Sequence, residues 1–317
     1  MTKILTRFFI LASFFTVLVL LPYKSLMAQD RLPQGDFTDL KDVSVRVVTE
    51  VLDPLTLRLD DESTIHLTGL DYPDWDPYEP GPISLTGMTI LKDLLRNQKV
   101  IVYQTKKKGV GRLNRMGQNL AHIVRKKDKS WVQGTMLMLG IARVRTTQGN
   151  PEMAKHMYAL ESVARNERIG LWRTDAYTVI PADKADLLIG GFGIVEGTIL
   201  KTAMKSNRLY LNFGQNWRKD FTVSISSQDR RNFHKAGIDP MQWNGQKVRV
   251  RGWVSSYNGP YIEIDHPARI ELLSRPSDQT AEKTDEKEDA SDMIDQPEEK
   301  QNKQGKKGHS QPVYNDG

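Results

Sequence analysis

Apolar and polar residues fall into two blocks of short alternating runs along the chain. In the first block, residues 43–51 alternate loosely and residues 55–59 cleanly. Residues 65–70 form a third run, and the Asp60-Asp61-Glu62-Ser63 stretch before it is a turn. Residues 100–103 and 119–125 add two more strands. Three stretches switch to helical spacing: residues 86–95, where Met88, Leu91, Leu94 and Leu95 share a face; residues 131–139; and residues 151–168, with Gly170 just past the end. A small β-barrel carrying about three helices satisfies this pattern.

The second block predicts strands at 192–200, 207–213 and 220–225, a short helix at 227–236, and strands at 246–254 and 260–264. That order is the order of an OB-fold, a five-stranded barrel. The fold class is therefore mainly β with helices: two consecutive small barrels at about residues 43–175 and 188–273, joined by a linker around residues 180–186. Alternation puts Arg249, Arg251 and Trp253 on one face of the fourth strand, and Tyr261, Glu263 and Asp265 on one face of the fifth. A loop at 255–259 then sets Arg251 opposite Glu263, Arg249 opposite Asp265 and Trp253 opposite Tyr261 on the outward face.

Composition changes this picture at the two ends. The 317 residues are 26% charged and 38% hydrophobic, which excludes a collagen, a coiled coil or a wholly disordered chain. There is no cysteine, which excludes disulfides, thiolate zinc sites, iron–sulfur clusters and a cysteine nucleophile. Lys3 and Arg7 precede a mostly apolar run over residues 8–21, short for a membrane span and ended by Pro22. Residues 1–28 read as a signal peptide cleaved near Ala28, with an uncleaved N-terminal anchor as the alternative; either way the rest is exported, to the periplasm or beyond. Residues 276–317 hold 11 acidic, six basic and few apolar residues, and read as a disordered acidic tail. The net charge of +6 thus conceals a more basic body, with +8 on residues 29–275.

Five motifs in the first block then carry a resemblance. Val51-Leu52-Asp53-Pro54-Leu55-Thr56-Leu57-Arg58-Leu59 enters an alternating strand through a turn. His66-Leu67-Thr68-Gly69-Leu70-Asp71-Tyr72-Pro73-Asp74 follows. Met116-Gly117-Gln118-Asn119-Leu120-Ala121-His122-Ile123, the run from Trp131 through Leu139-Gly140-Ile141-Ala142-Arg143-Val144, and Gly170-Leu171-Trp172 complete the order. Together, over about residues 43–175, they resemble the staphylococcal nuclease (thermonuclease-like) domain, an OB-fold barrel with helices. The second block resembles the smaller OB-like domain that follows it in some exported bacterial proteins, through Asn212-Phe213-Gly214, Asp220-Phe221-Thr222-Val223 and Val248-Arg249-Val250-Arg251-Gly252-Trp253-Val254.

The resemblance implies a calcium ion on two Asp carboxylates, a Glu as general base and two Arg on the phosphate. Hard cations suit carboxylate oxygens, and guanidinium forks match phosphate. Carried over, the first calcium Asp falls on Leu55 and the second on Asp71. The base falls on Asp74, and the two Arg fall on His66 and Gln118. Asp53 is a weak substitute metal ligand, Arg112 belongs to an alternative Gly-Arg-Leu register, and Arg115 is the nearer local cation. Outside the resemblance, Trp217, Arg218, Lys219, Trp253, Tyr257 and Tyr261 are candidates for stacking and pairing with single-stranded nucleic acid. Three function classes stay open: a nucleic-acid or envelope binding module with a degenerate nuclease site, an active metal-dependent phosphodiesterase with a rearranged site, and an envelope assembly factor.

Overall fold

A computed structural model describes residues 32–273; the signal-peptide and acidic-tail readings lie outside the described residues. The first block begins with one long strand, β1 (Leu40–Asp53), which bends enough to close a barrel. Around it stand β2 (Thr56–Leu59), β3 (Thr64–Leu67), β5 (Lys99–Thr105) and β6 (Asn119–Arg125), in the closed order β1-β2-β3-β6-β5. All neighbours are antiparallel except β3 and β6, which run parallel. Leu57, Leu59, Ile65, Leu67, Val100 and Ile123 fill the interior. A separate two-stranded piece pairs β4 (Leu70–Asp71) with β7 (Arg143–Val144).

Three helices cover this barrel. α1 (Pro82–Leu95) starts four residues before its apolar repeat, because its cap comes from a distant side chain. Asp74 Oδ2 accepts from the Ile83 amide at 2.7 Å, and Oδ1 accepts from the Ser84 amide at 3.0 Å and hydroxyl at 2.6 Å. Pro82 sits where no amide donor is needed. α2 (Val132–Met138) is almost wholly buried, and α3 (Ala154–Asn166) packs against it with Met157, Glu161 and Ala164 inward.

The second block keeps the expected order of strands and helix. It forms two sheets over a shared core of Val195, Leu209, Leu211, Val223, Val248, Val250 and Ile262. One sheet runs β10 (Lys201–Lys205), β11 (Arg208–Asn212), β12 (Thr222–Ile225), β15 (Pro260–Glu263), β14 (Ser255–Ser256). The other runs β16 (Ile270–Leu272), β13 (Lys247–Trp253), β9 (Phe192–Thr198), β8 (Ile180–Pro181). The helix α4 (Ser227–Lys235) lies between β12 and β13, with Ser226 accepting from the Asp229 amide as its cap. The expected linker is itself structured: Ile180–Pro181 pairs with β9, and Ala182–Leu188 winds as 3-10 helix.

The hairpin register is also corrected. The chain leaves one sheet for the other at Val254, so only Ser255 and Ser256 pair with β15, opposite Tyr261 and Pro260. Left-handed Asn258 and Gly259 make the turn tighter than a five-residue loop. Arg249 therefore meets Glu196 and Glu271, and Asp265 instead binds Arg269 and His266. Glu263 pairs with Arg208. Arg251 does not face solvent: it is drawn into the contact between the blocks.

There Arg251 forms a two-pronged pair with Glu161 of α3, Nη2 to Oε1 at 2.7 Å and Nη1 to Oε2 at 3.1 Å. Both side chains are buried, at 2% and 0% exposure. Arg165 reaches the same Oε1 at 3.2 Å, Glu271 binds Arg251 at 3.1 Å, and the Tyr158 ring lies 4.5 Å from the guanidinium carbon. Burial by itself works against the Arg251 charge, but Glu161, Tyr158 and Glu271 hold its pKa above the ordinary arginine value. Ile194, opposite Arg251 on β9, joins the core of the first block. Arg251→Met should cost about 3–5 kcal/mol in urea denaturation, because buried Glu161 loses its two-pronged partner and keeps only Arg165 and the Val144 amide. The double variant Glu161→Gln/Arg251→Met should recover part of that loss. Unchanged stability in the single variant would contradict the buried pair.

Candidate functional site

A cleft of about 960 Å³ opens between the blocks. Its first wall comes from the β3–β4 connection and β7. Gly69, at φ +88°, turns the chain so that β4 pairs with β7; a side chain there would meet the Met157 sulfur at 2.6 Å. Asp71 then stands opposite Arg143 and is only 9% exposed. Its Oδ2 accepts from Arg143 Nε at 2.7 Å, and its Oδ1 accepts from Arg145 Nη1 at 3.1 Å. Both carboxylate oxygens are therefore engaged. Arg143 also donates to the Phe192 carbonyl at 3.1 Å, and both guanidinium groups lie over the Phe192 ring, at 5.1 and 5.0 Å.

The second wall is the end of the β9–β13 pair. Phe192 and Trp253 are cross-strand neighbours, and both line the cleft. Trp75, His66, Leu55 and Asn150 complete the part of the lining that matters chemically. Asn150 is buried and its Nδ2 donor has no partner among the described residues.

Residues 64–174 match the family model for staphylococcal nuclease homologues. The first block carries a staphylococcal nuclease domain. None of the curated proteins compared with the chain matches it.

The first block places the positions that the resemblance implies as follows. Leu55 is buried in the barrel core and lines the cleft, offering no oxygen from its side chain. His66 lines the same cleft, and burial lowers its pKa despite the opposing pull of the Asp53 charge. Asp71 is at the cleft wall but neutralised by two arginines. Asp74 is turned away, closing the N-terminus of α1. Gln118 is outside the cleft lining, its Oε1 accepting from Asn114 Nδ2 at 2.6 Å to close its own loop. Asp53 folds back on its own turn, accepting from the Leu55 amide at 2.7 Å. Arg115 is exposed on the Gln118 loop with no ion pair among the described residues, and Arg112 is committed to the Thr105 carbonyl. His66 pairs with Leu120 across β3 and β6.

This donor set does not suit calcium. A hard cation needs several free oxygens, and here Leu55 supplies none, Asp71 is paired twice and Asp74 is a helix cap. No group of three or more potential metal ligands exists among the described residues.

The second-block candidates are divided. Trp253, 59% exposed, faces the cleft. Trp217, 48% exposed, sits on a loop with Arg218 and Lys205 against its ring at 4.7 and 5.6 Å, and Lys219 is exposed beside it. Tyr257 packs edge-on against Tyr261 on the β14–β15 hairpin. Arg143, Arg145 and Phe192 were not foreseeable as site residues from the family motifs. The signal available for the first two was their spacing, two positions apart with Val144 between them, which sends both to one side of a strand.

His66 should titrate below the ordinary histidine value of about 6.5 in NMR spectra assigned with His66→Asn. A folded pKa below the unfolded one makes the unfolded chain the better proton binder. Stability should therefore fall as pH drops below about 6.5, and less so in His66→Asn. A His66 midpoint at or above the ordinary value would contradict the burial.

Proposed function

We propose that this protein is an exported single-strand nucleic-acid binding module, built on a nuclease domain whose metal-dependent cleavage is absent. The observation that carries the reading is the state of Asp71, the one calcium ligand retained by type, which spends both oxygens on Arg143 and Arg145. Positive groups now stand where the family needs an open carboxylate. An arginine-lined site attracts phosphate without a metal and has no ion to polarise it. His66 and Gln118 supply no fixed cationic fork for the charge that develops during phosphoryl transfer, and loss of one such donor costs about 10²–10³ in rate.

Three further features support binding. The fold belongs to a nuclease family. The body over residues 29–275 is basic. We read the second block as OB-like, with β9 running on into β10 and β13 into β14, an architecture that takes oligonucleotides. The basic Lys3 and Arg7 ahead of the apolar residues 8–21 support export.

The test incubates the purified chain with single-stranded DNA and RNA at millimolar calcium, then magnesium, then manganese. Salt-sensitive retention of the intact strand is the expected result. Chelator-sensitive cleavage that disappears in Asp71→Ala and Asp74→Ala would overturn the reading and leave an active phosphodiesterase. Absence of retention at low salt would leave the envelope assembly role.

A further inference from the structure

Rows of side chains across β9 and β13 change character along the strands. Arg249 faces Glu196, Arg251 faces Ile194, and Trp253 faces Phe192. The first two rows are closed by ion pairs or by the first block. The third opens into the cleft, where Trp253 is more than half exposed. An exposed tryptophan beside a phenylalanine that already carries two guanidinium groups is an unusual thing to leave in a cavity wall.

Arg145 stands across from them. Its side chain is half exposed, one amino group is spent on Asp71, and its plane lies over Phe192. Its other donors have no partner among the described residues and can meet an anion. Of the cleft's two carboxylates, Asp71 is paired and Asp175 faces solvent. Asn150 adds a buried amide donor without a partner. The cleft volume, about 960 Å³, accommodates a nucleotide-sized group.

We propose that the strand is held in this cleft between the blocks, with a phosphate on Arg145, a base stacked on Trp253 beside Phe192, and Asn150 reading a carbonyl or ring nitrogen. The inference rests on the single-strand binding proposed above and assigns where that binding occurs. It makes the site a joint product of both blocks. It also separates Trp253 from Trp217, which lies on a loop outside the cleft lining. Lys108 and Arg115 are exposed on the same connection as cleft-lining Val110 and Asn114.

The test measures fluorescence anisotropy of labelled DNA and RNA strands of about 12 nucleotides against the full chain over a salt series. Trp253→Ala should weaken binding about tenfold without changing the salt slope, and Trp253→Phe should restore most of it. Arg145→Ala should weaken binding and lower the slope of log affinity against log salt by about 0.7. Thermal melts of each variant separate lost contacts from lost fold. If wild-type protein binds and both cleft variants bind equally well, the cleft assignment is overturned while the function stands. A loss confined to Trp217→Ala would move the strand to the outer loop and overturn it as well. If no strand binds wild type at low salt, function and site fall together.

Discussion

The carboxylate of Glu161 is the point on which the two blocks and the cleft between them depend. It has no exposure to water, and it accepts from four donors: Arg251 twice, Arg165, and the backbone amide of Val144 at 2.6 Å. The Val144 bond holds β7, so Arg143 and Arg145 on either side of it are aimed as a pair at Asp71. The Arg251 bonds hold β13, so Trp253 two residues on is placed at the cleft mouth. One buried anion therefore sets both walls. Such a pair is costly to desolvate, and an apolar replacement of similar shape is often as stable. Its contribution here is geometric: it fixes which faces of the blocks meet and in what register.

That geometry has a chemical consequence for the site. A calcium-dependent site concentrates negative charge on a positive ion. In this cleft the retained carboxylate is matched internally by two guanidinium groups, one of them buried on Tyr177 and Phe192. Arg143 is fixed on three sides, by Asp71, by the Phe192 carbonyl and by the rings, so its pairing with Asp71 is part of the fold. Arg145 has looser surroundings and keeps donors in reserve. The cleft thus combines a structural arginine with one available to a ligand.

Much of the first block was legible because the alternation of its strands is local in pattern. The bounds of β6 coincide with the alternating run at 119–125, and β2 and β3 fall inside the first two family motifs or at their edge. What could not be read depended on side chains from far along the chain. α1 begins early because Asp74 caps it from eight residues before Pro82. Arg251 alternated correctly with Arg249 and Trp253, but its partner is Glu161, 90 residues away, so a face read as outward is inward. Glu161 itself left a faint mark, a charge on the apolar stripe of Met157 and Ala164. Asp71 was readable as a residue type; its two arginine partners follow from the pairing of β4 with β7, which no local pattern specifies.

The central claim is that Asp71 belongs to the protein's own arginines and not to a metal ion. Calorimetric titration of calcium into the purified full chain addresses it directly, with Asp71→Asn as the comparison. The account predicts no saturable heat at millimolar calcium in either protein. Saturable binding in the wild type that disappears in Asp71→Asn would contradict it.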